Sequence, residues 1–397
     1  MSVRTSGVTR SRRSALAAVA AVALAYGVVL PVLPGVVAST SSPARATAEL
    51  MAVYSAAVVV TAPVWAGLTR RISLHRLVRF GLLGQVAAMA LLLLPPTTTV
   101  LLFARGLQGL FASAVLPALQ IAASRASTSE ADRSQRLADL NRGALVGGLF
   151  GPGLGGAVAN DGRLWAPVLV AMLALTLAAA LQRSDITTVA TVSPVATQPS
   201  PRRRDVVLLL ALAALAAAAM SVYEVGLAIR ARLVDGLSPR DIGFMFTGCG
   251  VVMLLSQGLV FRRGHDPTRA FGWVAPAFLA TAVGLVLLAW LGGMRASVAG
   301  VVLVAASAGV LQPALTYWTS RAAGAAEASS LGWRTAVTTA GQAMGSLTGG
   351  LAFASNTAGR VALVTLLGGL LAAAALALAR RRAPAGMPVL ILPARDR

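Results

Sequence analysis

The sequence predicts an all-α polytopic membrane protein, with twelve transmembrane helices in two pseudo-symmetric six-helix bundles. Three observations carry this expectation. Of 397 residues, 57% are hydrophobic and only 12% charged, whereas soluble domains carry about a quarter charged residues. The apolar residues gather into twelve long runs. Features of the first six runs then recur in the last six.

A helix needs roughly 20 apolar residues to cross a bilayer core of about 30 Å. The runs are 14–36, 49–69, 77–95, 100–123, 143–160, 164–181, 206–228, 241–261, 271–291, 296–319, 328–354 and 359–379. They are too long and too evenly apolar for barrel strands. The Gly and Pro they contain are tolerated in membrane helices. The first run follows Arg10, Arg12 and Arg13, and Ala44-Arg45-Ala46 beyond it would also suit a cleaved signal peptide. It reads as a span because it is long for a signal core and holds Pro31 and Pro34 at its far end.

All 34 basic residues are Arg, against 13 acids, for a net charge of +21. Such an imbalance can point to nucleic acid. Here the Arg stand in short clusters between apolar runs, so no nucleic-acid partner is expected. With the N-terminus inside, the inner segments hold 26 Arg and the outer segments 7, with Arg105 inside a span. This distribution places both termini in the cytoplasm of a multi-pass plasma (inner) membrane protein. The halves are 1–181 and 206–379, joined by a polar cytoplasmic linker, 182–205, and followed by an Arg- and Pro-rich tail, 380–397. Linker and tail read as solvated segments that attract anionic lipid head groups.

Enzyme chemistry finds little support. The single Cys249 excludes an internal disulfide or a Cys-cluster metal site. His75 and His265 follow Arg-rich loops and read as solvated. With no Lys there is no Gly-x-x-x-x-Gly-Lys nucleotide loop, and no catalytic pair stands out. No cofactor, no metal and no enzymatic activity are expected.

The repeat is visible at three places. Gly67-Leu68 and Arg71 recur as Gly258-Leu259 and Arg262, shifted by 191. Pro117-Ala118-Leu119 with Ser124-Arg125-Ala126 recurs as Pro313-Ala314-Leu315 with Ser320-Arg321-Ala322, shifted by 196. Gly147, Gly151, Gly155 and Gly156 recur as Gly341, Gly345, Gly349 and Gly350, shifted by 194. Two such halves suit a transporter with a central site at their interface.

These motifs, in this order, resemble the major facilitator superfamily, and specifically its twelve-span drug/proton antiporters. Gly147-x-x-x-Gly151-Pro152-x-x-Gly155-Gly156 in the fifth span matches the antiporter motif. Small residues at i, i+4 and i+8 form a stripe for close helix contact, and Pro152 can kink the helix. Arg105-Gly106-Leu107-Gln108-Gly109 in the fourth span matches Arg-x-x-Gln-Gly, whose Arg the resemblance implicates in proton coupling. The alternative is a structural Arg that bonds carbonyls or reaches head groups. The gate loop after the second span carries Gly67, Leu68, Arg70 and Arg71. Leu68 and Arg71 fit the family pattern, whereas the family's Asp is replaced by Arg70 here and by Phe261 in the second half. Pro31-x-x-Pro34 and Tyr54…Pro63-x-Trp65 are lesser resemblances that also read as helix punctuation and interface aromatics.

Acids within spans are few. Glu224 lies about 27 Å along the seventh span. It is either a carboxylate exchanging proton for cationic substrate or an outer-edge partner of Arg230. Glu49 reads as a solvated helix-start acid. On the fourth span Arg105, Gln108, Ala112, Leu116 and Gln120 share one face, and on the tenth Val301, Val304, Ala308, Gln312 and Thr316 do. The resemblance makes both faces cavity walls. The cavity is then lopsided, charged on one half and apolar with amides on the other, which suits an amphiphile. Candidate contacts are Tyr26, Gln108, Gln120, Tyr223, Gln312 and Tyr317. The expected function is secondary active, proton-coupled export of small amphiphilic compounds, with protons and the substrate as partners and the monomer as the working unit. The alternatives are a metabolite or sugar transporter of the same superfamily, or a non-transporting membrane interaction protein.

Overall fold

A computed structural model describes residues 2–69, 71–126, 130–159, 163–182, 203–260, 272–290, 294–323, 327–354 and 357–379. Arg70, most of the linker (183–202), the loop with Phe261, Arg262 and His265, and the tail 380–397 lie outside the described residues. Among the described residues the chain is helical, without strands: α1 (Ser2–Gly27), α2 (Leu33–Val36), α3 (Pro43–Leu68), α4 (Leu74–Leu91), α5 (Thr98–Arg125), α6 (Glu130–Val158), α7 (Trp165–Leu181), α8 (Arg203–Ile229), α9 (Pro239–Val260), α10 (Val274–Trp290), α11 (Met294–Ala323), α12 (Glu327–Ala354) and α13 (Thr357–Ala379). All but the four-residue α2 correspond to the twelve apolar runs.

By length and hydropathy alone, five described helices could cross a bilayer: α3, α5, α8, α9 and α11. Shorter apolar stretches lie in α7, α10 and α13. The remainder, α1, α4, α6 and α12, carry Arg, or Arg with acids, toward one end.

The first span departs from its expected bounds. α1 begins at Ser2 and ends at Gly27, not at residue 36. The cause is Pro31 and Pro34, which cannot donate to the helix ladder and disfavour helical backbone before them. The chain turns there and re-forms only the single turn of α2. α8 likewise ends in a π-helical turn, Arg230–Val234, followed by Gly236 at φ 66°. That left-handed backbone is one that glycine adopts without steric cost.

Two apolar cores form, one largely from α1–α7 with Val225 and Ile229 of α8, and one from the segment α8–α13. The neighbour pattern is itself repeated. α1 against α6 answers to α8 against α12, α3 against α5 to α9 against α11, and α4 against α7 to α10 against α13. Between the halves α3 meets α12 and α6 meets α9, and the repeat exchanges those two pairs.

The glycine stripe explains the tightest of these contacts. A Cβ on Gly147 or Gly151 would strike the carbonyl oxygen of Ala20 or Leu24 on α1, and one on Gly155 that of Val28 just beyond its end. A Cβ on Gly341, Gly345 or Gly349 would meet the backbone of Ala214, Ala218 or Val222 on α8. Both the glycines and their partners are separated by 194 residues. Pro117 and Pro313 share a register too, each nineteen residues into its helix.

The second glycine of each pair faces the other half. Gly156 lies against Pro239 and Gly243 of α9, and Gly350 against Ala44 and Ala48 of α3. Twelve crossings return the chain to the side where it began, here named the termini side. These cross-half contacts, with Gly35 of α2 against the Arg232 side chain, close the opposite, far side. The wall helices agree with this. On α5, Arg105, Gln108 and Ala112 are buried, while Leu116 and Gln120, nearer the termini side, are only half-buried. On α11, Val301, Val304 and Ala308 are buried, while Gln312 and Thr316 are half-buried.

Candidate functional site

Three helices converge on Arg105. It stands about two turns into α5, with 0% of its surface exposed. A guanidinium brings five N–H donors, and one without partners inside a bilayer would be costly. Its Nε donates to the Leu50 carbonyl at 3.4 Å, Nη1 to Gln108 Oε1 at 2.6 Å, and Nη2 to Met51 Sδ at 3.4 Å. Gln108, one turn later on the same face, donates onward through Nε2 to the Ala25 carbonyl of α1 at 3.2 Å.

The faces of the cation are covered by two tyrosines. Arg105 Cζ lies 5.2 Å from the Tyr26 ring centroid and 4.9 Å from that of Tyr54. The rings are 4.8 Å apart. Their negative faces stabilise a cation that has no carboxylate within ion-pair distance among the described residues. The cluster is therefore a caged, uncompensated positive charge tying α1, α3 and α5 together.

Glu224 approaches from the other half. It is half-buried, five residues before the end of α8. It lies within electrostatic reach of Tyr26, Tyr223 and Cys249. Arg230, its alternative partner, lies 3.6 Å from Asp235. Glu49 pairs with Arg45 at 2.8 Å, one turn away on the exposed start of α3.

The other expected contacts separate into groups. Tyr26 and Gln108 belong to the Arg105 network. Tyr223 is fully buried in the second core, its hydroxyl 2.9 Å from Cys249 Sγ. Gln120, Gln312 and Tyr317 are half-buried toward the termini side, and the Tyr317 ring meets Trp318 edge-on at 5.5 Å. In the gate loop, the space around Gly67 is open, Leu68 joins the first core, and Arg71 is exposed.

Three features escaped the reading of the sequence. Tyr54 and Met51 complete the cage, although Tyr54 reads as an interface aromatic. Asp139 of α6 pairs with Arg12 of α1 and, at 3.3 Å, with Arg142, which places a carboxylate on the termini side. Arg334 sits inside α12. It is a second span arginine, and its position within the run 328–354 was the available signal.

The family model of the Major Facilitator Superfamily matches residues 15–346. The chain belongs to the major facilitator superfamily. Solved structures agree on the fold. The human organic anion transporter MFSD10 (TETRAN) aligns with a TM-score of 0.71 at 18% identity, covering 93% of this chain and 99% of that one. A peptide transporter, POT, in complex with alafosfalin aligns with a TM-score of 0.72 at 14% identity, covering 93% of both chains. The same transporter with sulfate gives 0.72 at 14%, covering 93% and 94%. No curated protein sequence matches the chain. This superfamily member is thus a transporter by family, and its helices α5 and α11 occupy equivalent places in the two halves.

Proposed function

We propose that this superfamily member exports small amphiphilic compounds in exchange for protons, by alternating access of its two halves. The observation that carries the reading is the placement of its ionisable groups. A caged Arg105 on α5 and a half-buried Glu224 on α8 stand in different halves, and Tyr26 lies within the electrostatic reach of both. A carboxyl at such a junction changes surroundings as the halves rock, which is what proton exchange needs. The closed far side and half-buried termini-side wall suit a state that loads from the termini side. The Arg distribution supports reading that side as the cytoplasmic one, in the plasma membrane. Gln120, Gln312 and Tyr317 are the substrate contacts in this reading, and the monomer is the working unit.

The test is flux of a cationic dye such as ethidium in proteoliposomes under an imposed pH gradient. Uphill export that collapses with a protonophore is expected, and flux indifferent to the gradient would overturn proton coupling. Glu224→Gln is expected to flatten the pH profile of uphill export while downhill flux persists. A variant profile superimposable on the parent's would assign the proton carrier to another group.

A further inference from the structure

α12 leaves the termini side at Glu327, and Arg334 stands about two turns in. Its Nη2 donates to the Gln312 carbonyl at 3.2 Å and to Gln312 Oε1 at 3.1 Å. Both acceptors are neutral. The Nε–H is buried without a partner, and no carboxylate lies within ion-pair distance among the described residues. The contrast with Arg105 is informative. Arg105 is fully buried and roofed by two rings, so it has no room for a ligand. Arg334 has no such cage, retains unused donors, and is only half-buried. The repeat does not explain it, because the equivalent residue 194 positions earlier is Leu140, buried in the first core.

An arginine inside a span is costly unless something compensates it. The planar guanidinium is best matched by a two-oxygen anion. We infer that Arg334, held in place by Gln312, binds the anionic head of an amphiphilic carboxylate. This rests on the exporter reading only for the bound molecule being cargo.

The experiment titrates the purified full chain with the fluorescent fatty-acid probe dansyl-aminoundecanoate and, separately, with its uncharged methyl ester. Arg334→Gln should weaken carboxylate binding at least ten-fold and leave ester binding within about two-fold, each ten-fold step being about 1.4 kcal/mol. Arg334→Lys, which keeps the charge but not the fork, should weaken the carboxylate by less than Arg334→Gln does. Equal carboxylate binding in parent and Arg334→Gln overturns the inference. So does an equal loss of ester and carboxylate, which would mark a packing role. If Arg334→Gln does not fold, Arg334→Lys decides: a reduced carboxylate preference over ester supports the site, and a preference equal to the parent's, or no preference in the parent, overturns it. Ethidium flux is scored separately, so intact dye export without carboxylate preference removes the anion site and leaves the exporter standing.

Discussion

Arg105→Ala is expected to reduce uphill dye export in proteoliposomes to background while the protein still folds and inserts. The substitution removes the donor to Gln108 Oε1 and the cation between the Tyr26 and Tyr54 rings. Charged hydrogen bonds are worth about 1.5–3 kcal/mol and each ring contact about 0.5–2 kcal/mol. Deleting a buried, uncompensated charge returns much of that, because its desolvation cost disappears as well. Stability therefore changes little, and the loss falls on coupling between α1, α3 and α5. Arg105→Lys should likewise fold but not restore full export, since one ammonium cannot donate to Leu50, Gln108 and Met51 together. Detergent melting temperature and gradient-driven flux, measured on the same samples, check both parts. Uphill accumulation by Arg105→Ala at the parent rate would remove Arg105 from the coupling machinery.

Gly155→Leu is expected to lower the folded yield severely, whereas Gly156→Leu should fold and fail in transport. The two glycines are neighbours with opposite duties. A Cβ at Gly155 strikes the Val28 carbonyl just past α1, inside one half. Backbone cannot swing aside as a side chain can, and overpacking costs about 1–3 kcal/mol or more. A Cβ at Gly156 meets Pro239 and, at 3.1 Å, the Cα atoms of Arg240 and Gly243 in the other half. Each half can still assemble, but the far side cannot close. Size-exclusion yield separates the first effect, and flux normalised to folded protein the second. Equal yields with equal flux in both variants would contradict this division of labour.

Much of this architecture is legible in one sequence because a bilayer punishes ambiguity. Unpaired backbone groups are so costly in lipid that an apolar run of span length must be a helix. The stripe Gly147, Gly151 and Gly155 announces close contact because no other residue type leaves the backbone bare. The end of α1 was less legible. Pro31 and Pro34 were visible, yet the apolar run continues through them, and hydropathy does not register a missing N–H.

The candidate site was legible in its types rather than its partners. Arg105 stands out by its position in a span, and Glu224 by the scarcity of acids there. That Tyr26 and Tyr54 cage the arginine follows from the crossing of α1 and α3 beside α5, which no local pattern encodes. Tyr223 illustrates the reverse. It adjoins Glu224 in sequence, but 100° of helical rotation per residue turns it into the second core toward Cys249.

By itself, then, the sequence determines the spans, the duplication, and which residues are chemically out of place in lipid, since each depends on solvation and period along one chain. Only the tertiary structure decides which helix each glycine meets, that Gly155 serves its own half and Gly156 the other, and that Arg105 is enclosed while Arg334 keeps donors to spare. Those outcomes depend on how helices distant in sequence cross. The crossing is set by the summed packing of whole faces, a quantity that no single residue carries.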